Sequence, residues 1–539
     1  MFKRMLNMFS PNLKGEKPVE NELVILEDKI QFSKSQIWKN QKKYYVDKGV
    51  SAWELDVPFY ITSNSFIAES YAKVVISFMR DFLKNNPSAS QFPFYILELG
   101  TGTGQFSFYF LKSLLKMQKT LQLDFISICY VMSDCNVNLF DFFEKHEALK
   151  PYLNAGILDF SVYDINEPGD IYLHRAKKTI GLEQLKNPLT VIANYIFDSV
   201  ATDVFTVRDG KLYESLVTVK TDPSNLKDGI LIDSKKTHLS YHEIPVEDHY
   251  YHNAFDSILF NYQKKLNNAH FQFPITVLSL LEHFKTLSNN QLLLLSSDKG
   301  HSTIDELNAL NFSYPYLVYH GGCFSVMVNY HAISEFMRKG SGSGMIDQKK
   351  GLIVTGIFTT GFLLDEFLHF NSITEQILDG FTPSDYCLVS DSFVENHHQY
   401  SLQTLVAHLN LLSWDPALFF QVSKRVRILA EQENSSRVSF LLKKMNSMID
   451  DFYYVPKKSD EPFQIGLFLQ RMKQYEKAIL CYQKSITYFC DVTAMCNIGA
   501  CHYSLGRKSE ALMFLNQALQ IQPKFELAEK MIDVIAKEN

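Results

Sequence analysis

Apolar and polar positions alternate in two different rhythms through the first half of the chain. FIAESYAKVVISFMRDFLK (66–84) has the spacing of a helix with one buried face, and Asn64 or Ser65 can cap it. Pro87 and Pro93 then mark a loop, since neither can continue a helix. Beyond them, short runs almost unbroken in Ile, Leu, Val and Phe take turns with helical stretches. The runs are FYILEL, FISICYVMS, ILDFSVYDI and LTVIANYIF, with helices predicted from about Gln105 to Lys119 and at 138–150. Runs of that kind suit parallel strands covered on both faces, so the pattern predicts an α/β, doubly wound sheet.

From about 206 to 290 the rhythm shortens to alternating segments such as DGKLYESLVTV, with Asp209-Gly210 as a hairpin signal, and predicts a β-rich insertion. The sheet resumes at QLLLLSSDKG (291–300). It is expected to close with YLVYHGGCFSVMVNYHAI, where Gly321-Gly322 separates two strand-like runs and implies an antiparallel last strand. MRKGSGSGM (337–345) reads as a Gly/Ser linker, after which the chain turns helical. Near the end, Gly466 and Gly499 lie 33 residues apart, and Ala478 and Ala511 share that offset. With Ile498, Gly506, Ala518 and Pro523 they resemble the tetratricopeptide repeat. The implied organisation is a lead-in at 1–35, an α/β domain at 36–338, a linker at 339–345, a helical connecting region at 346–460, and an all-α repeat domain at 461–539.

Composition narrows the classes. With 46% hydrophobic and 21% charged residues the chain should fold, and 539 residues exceed one ordinary core. A net charge of −6 offers no broad attraction for nucleic acid. The most apolar run, GLIVTGIFTTGFLL (351–364), stops at Asp365, short of the ~20 residues a membrane span needs. The opening residues lack a signal-peptide core, so a cytoplasmic location is expected. The eight cysteines show no metal or disulfide spacing and read as reduced thiols; Cys496, Cys501 and His502 fall inside the repeat helices, and no metal is expected.

The chemistry concentrates in ILELGTGTGQFSFYFL (96–111). Three glycines in five residues between a strand and a helix let a ligand lie against bare backbone at a helix N-terminus. The dinucleotide pattern would place a further glycine where Gln105 stands and an acid about 20 residues on, whereas the next acid at a strand end, Asp134, is 30 residues on. Both features point away from NAD. ELGTGTG followed by a strand ending in YVMSD resembles the class I S-adenosylmethionine-dependent methyltransferases, a Rossmann-like fold. That resemblance implies S-adenosyl-L-methionine as cofactor, with Glu98, Gly100, Thr101, Gly102, Thr103 and Gly104 around the methionine moiety, Asp134 on the ribose hydroxyls, and Asp164 with Ile165 beside the adenine.

VIANYIFDSVATDVF (191–205) narrows the resemblance to the MidA-like methyltransferases, which methylate a protein arginine, as do VPFYITSN upstream and FSVMVNYHAI downstream. Where that family has Asn-Glu, this chain has Asn194-Tyr195, so a carboxylate able to grip a guanidinium in a bidentate pair is missing. Asn194 and Asp198 are expected at the nucleophile, with Asp198 orienting it or accepting its proton, and Tyr195 nearby. Tyr60, Thr62 and Ser63 are expected to close the site from the N-terminal side. His320 and His331 read as structural. The repeats favour a protein substrate or partner; the alternatives are a methyltransferase-fold scaffold without turnover and an enzyme acting on a small molecule.

Overall fold

A computed structural model describes residues 23–53, 63–227, 230–247, 249–310, 317–320, 322–347, 353–433, 436–456 and 459–537. The chain divides into two compact units, residues 1–387 and 388–539.

In the first unit, β1 (Val24–Ile30) is followed by α1 (Gln36–Lys48) and α2 (Ser65–Asn85). Asn64 caps α2 by accepting from the Ile67 N–H at 3.0 Å. The central sheet then builds through β2 (Phe94–Leu99), α3 (Gln105–Thr120), β3 (Ile128–Asp134), β4 (Leu158–Val162) and β5 (Leu189–Asn194). Next come β6 (Asp203–Arg208), β7 (Lys211–Thr221), β8 (Thr237–Pro245), α4 (Asn253–Lys265) and β9 (Ala269–Phe273), the expected insertion. Helix α5 (Ile275–Leu287) leads back to β10 (Leu292–His301) in the central sheet. Two short strands, β11 (Val318–His320) and β12 (Cys323–Ser325), pair as a hairpin, and β13 (Val328–Asn329) runs parallel to the end of β10. Helix α6 (Tyr330–Met337), β14 (Ser343–Ile346), β15 (Ile353–Thr360) and α7 (Leu368–Asp379) follow.

The central order is β14-β15-β10-β5-β2-β3-β4, all parallel except β15, which runs antiparallel to both neighbours. Side-chain alternation explains the double winding. Tyr95, Leu97 and Leu99 of β2 join the core formed with α5 residues Leu278, Leu281 and Phe284, while Phe94 meets Phe82 of α2 on the other face. The insertion folds as a second sheet. Strand β7 carries β8 along one edge and shares its other edge between β6 and β1. Asp209 and Gly210 have φ of 49° and 72° and turn β6 into β7, as the dipeptide predicts.

Three expectations change. The lead-in ends earlier than residue 35, because β1 is paired in the second sheet and Phe32 is buried. The antiparallel strand of the central sheet is β15, drawn from the most apolar run of the chain, whereas the segment around Gly322 forms only the small β11-β12 hairpin. All eight residues of β15 are buried, which accounts for a run apolar enough to invite a membrane test. The GSGSG stretch is no linker, since Ser343–Ile346 pairs with β15, and the first unit runs on to residue 387 instead of ending at 338. Gly340 turns the chain at φ 75°, and Gly342 allows close approach: a Cβ there would sit 1.7 Å from the Met337 carbonyl oxygen.

The second unit is helical among its described residues. Its last five helices are α8 (Glu461–Arg471), α9 (Tyr475–Phe489), α10 (Val492–Ser504), α11 (Lys508–Ile521) and α12 (Glu526–Lys537). Cys496, Ala511, Leu515, Ala518, Ala528 and Ile535 form one of its buried clusters. Small residues at the helix crossings are required by contact: a Cβ at Gly466 would meet the Tyr482 ring at 2.7 Å. No helix among the described residues is long and apolar enough to cross a membrane.

Gly342→Ala separates a linker from a packed turn. We expect it to lower stability by roughly 1–3 kcal/mol, seen as a fall in thermal midpoint, because the added methyl has a backbone carbonyl in its place; an unchanged midpoint contradicts the packing described.

Candidate active site

At the carboxyl ends of β2, β3 and β5 lies a cavity of about 140 Å³. Its floor is the turn after β2. Gly100, Gly102 and Gly104 have φ of 62°, 60° and 77°, a region that costs an L-residue about 1–2 kcal/mol. At Gly100 a Cβ would also meet Ile196 Cδ1 at 2.7 Å. Gly100 to Thr103 line the cavity and Gly104 sits behind them as the N-cap of α3.

Two acids support this turn in different ways. Asp134, at the end of β3, lines the cavity and accepts from the N–H groups of Gly102 at 3.3 Å and Asn136 at 3.0 Å. Burial pushes its pKa up to about 6 against those hydrogen bonds. Glu98 lies beneath the turn and does not line the cavity. Its carboxylate accepts from Ser107 and, at 2.8 Å, from Tyr130, and burial raises its pKa to about 7.

A second wall comes from α1. Ser35 caps this helix, and it presents Trp38, Gln41, Lys42 and Tyr45 to the cavity. Gln41 locks it in place by donating to the Ser199 carbonyl and accepting from the Phe324 N–H, both at 3.0 Å. Trp38 lies against the Phe324 ring, with centroids 4.9 Å apart. Asp164 and Ile165, after β4, line the same end. Burial works against the charge on Asp164, but Lys42 and the Asn166 N–H outweigh it and hold its pKa below the usual value.

The far end is built around β5 and β10. Asn194 Oδ1 accepts from the Ser297 N–H at 3.1 Å and from the Tyr71 hydroxyl at 2.9 Å, which fixes the amide orientation and leaves the buried Nδ2 without a hydrogen-bond partner. Tyr195 follows at φ 53°, and its buried hydroxyl is also unpartnered. Asp198 is held in a buried ion pair by Lys299 Nζ at 3.1 Å and accepts from Ser199 at 2.7 Å. Lys299 also donates to Ser325 Oγ at 2.6 Å, and Ser325 lies 3.0 Å from His320 Nε2. Asp298, fully buried, accepts the Asp198 N–H at 3.0 Å. Its pKa is raised well above the usual range, first by burial and then by Asp198.

The cavity therefore gathers Gly100, Thr101, Gly102, Thr103, Asp134, Asp164, Ile165, Asn194, Tyr195, Asp198 and Ser63, all expected from the sequence. Tyr60 and Thr62 lie outside the described residues. His320 lines the cavity with its Nε2 3.0 Å from Ser325 Oγ, and His331 is bound to the Tyr262 hydroxyl at 2.9 Å. Lys299 was not anticipated. The signal for it was a lysine set beside an acid at the end of the apolar strand run QLLLLSSDKG, a place where an unpaired charge is too costly to bury. Among the described residues no three His, Cys, Asp or Glu side chains are grouped to hold a metal ion.

The strand order with one reversed strand, and the glycine turn between the first strand of the series and its helix, make this a Rossmann-like doubly wound sheet. Residues 462–524 match the tetratricopeptide repeat family. Two solved COG1565 superfamily proteins from Burkholderia thailandensis, one a candidate methyl transferase bound to S-adenosyl-homocysteine, are similar at TM-scores of 0.39 and identities of 11% and 12%; each match covers 63% of this chain and 90% of the other. The DhpI–SAH complex is similar at a TM-score of 0.25 and 8% identity, over 60% of this chain and 97% of that one. No curated protein matches the sequence. At TM-scores this low, function rests on the geometry of the site.

Removing Lys299 alone strands a buried carboxylate. We expect Lys299→Met to cost about 3–5 kcal/mol and the double variant Lys299→Met with Asp198→Asn to recover most of it, measured by chemical denaturation. Glu98 gives a pH test. Its folded pKa of about 7 exceeds the usual 4.5, so the folded state binds the proton more tightly, and the stabilisation present below about 4.5 is lost as pH rises through 7. Glu98→Gln should lack that loss, so its stability relative to the parent should increase from pH 5 to pH 8; a constant difference contradicts the assignment.

Proposed function

We propose that this protein is an S-adenosylmethionine-dependent methyltransferase acting on a protein-borne acceptor, with the repeats as the recruiting part. The observation that carries the reading is the bare-backbone turn at Gly100–Gly104 with the Asp134 carboxylate hydrogen-bonded to it, both lining a cavity that continues to Asn194 and Tyr195. The donor set fits the cofactor. Asp134 is a carboxylate acceptor suited to a pair of ribose hydroxyls, Ile165 is an apolar surface for the adenine, and the glycine backbone leaves room for the methionine end.

When bound, S-adenosylmethionine supplies an electrophilic methyl group on a sulfonium. The work left to the chain is alignment and exclusion of water. Helix α1 covers the adenine end, with Lys42 and Asp164 at the rim, and Asn194 and Tyr195 offer hydrogen bonds where the acceptor must lie. Stacked repeat helices commonly hold extended peptides, which supports a protein acceptor. A second reading, a scaffold that binds the cofactor without turnover, is favoured by one observation: Asp198 is already engaged by Lys299 and Ser199.

Calorimetric titration of S-adenosylhomocysteine tests the cofactor site. We expect micromolar binding, at least 30-fold weaker in Asp134→Ala, and weaker in the parent as pH falls below about 6 because Asp134 then takes up a proton. Absence of binding to the folded protein would overturn both readings.

A further inference from the structure

Resting on the methyltransferase reading, we propose that the acceptor is a carboxylate, methylated on oxygen to an ester, and not the guanidinium of an arginine. A guanidinium brings five N–H donors and a positive charge, and its site must supply acceptors and an available negative charge. The far end of the cavity offers the reverse. The lining carboxylate there, Asp198, is compensated by Lys299 at 3.1 Å and takes a further hydrogen bond from Ser199. The groups left over are the Asn194 Nδ2, which can only donate, and the Tyr195 hydroxyl, which carries one donor proton, both buried and both without a hydrogen-bond partner. Leaving such groups unmatched costs about 1–3 kcal/mol each, which an incoming pair of acceptor oxygens relieves.

The ammonium of Lys299, matched to Asp198, makes two further contacts. It sits 5.2 Å over the Tyr195 ring and donates to Ser325 Oγ, which itself lines the cavity. Lys299 can only donate, so Ser325 accepts from it. A carboxylate also suits the lack of a free base. One of its oxygen lone pairs forms the new O–C bond while the C–S bond of the sulfonium donor breaks and its electron pair stays on sulfur. No proton is released, so Asp198 can remain in its ion pair throughout.

The first test is a binding measurement. With the full-length protein saturated with S-adenosylhomocysteine, sodium acetate is expected to raise the thermal midpoint by at least about 2 °C at concentrations where ethylguanidinium chloride of equal ionic strength does not. Tyr195→Phe, which removes only the unpartnered hydroxyl, is expected to reduce the acetate shift by half or more while S-adenosylhomocysteine still binds. Stabilisation by ethylguanidinium in place of acetate, or an acetate shift untouched by Tyr195→Phe and by Asn194→Leu, overturns the proposal. The second test labels total soluble lysate protein with tritiated methyl donor and then applies mild alkali. Label released as volatile methanol supports the ester. Alkali-stable label overturns the carboxylate acceptor and leaves methyl transfer standing. Absence of label with S-adenosylhomocysteine binding intact overturns methyl transfer itself.

Discussion

The ion pair of Asp198 with Lys299 holds the working end of the molecule together. It links the turn after β5 to the end of β10, and through Ser325 it reaches the β11-β12 hairpin. Both side chains are almost fully excluded from water, so their desolvation is repaid only while each keeps its partners. That requirement fixes the register of three separate segments against one another. Gln41 then fastens α1 to two of the same segments through Ser199 and Phe324.

Around this junction the site keeps its charges in costly states. Glu98 and Asp134 are both pushed up by burial, and Tyr195 is held in a left-handed conformation that costs about 1–3 kcal/mol. Strain and unmatched polar groups of this sort persist where the surrounding packing over-determines them, and the apolar core shared by β2, β5, β10 and α5 supplies that packing. A site prepared in this way needs little reorganisation when a ligand arrives.

Much of this was legible in the chain. The apolar runs reported β2 to β5 because strands covered on both faces leave no polar alternation to misread, and the glycines reported the turn because no other residue tolerates those φ values cheaply. The 33-residue offset of Gly466 and Gly499 reported the repeats for a similar reason, close helix contact. The second half of the sheet was harder. β15 looks like a candidate for a membrane and GSGSG like a linker, because local composition cannot distinguish a segment that is buried in protein from one that is merely apolar, nor a glycine needed for contact from one needed for freedom.

By itself the sequence determined the class of fold, the repeats and the glycine turn with Asp134 beside it, since these depend on residue types at local spacings. Only the tertiary structure decided the opposite end of the cavity. Lys299 lies 101 residues from Asp198, and Ser325 and His320 lie on a further segment, so their pairing exists only once β10 is laid beside β5. Charge compensation is a property of distance in space, and the chain order carries no record of it.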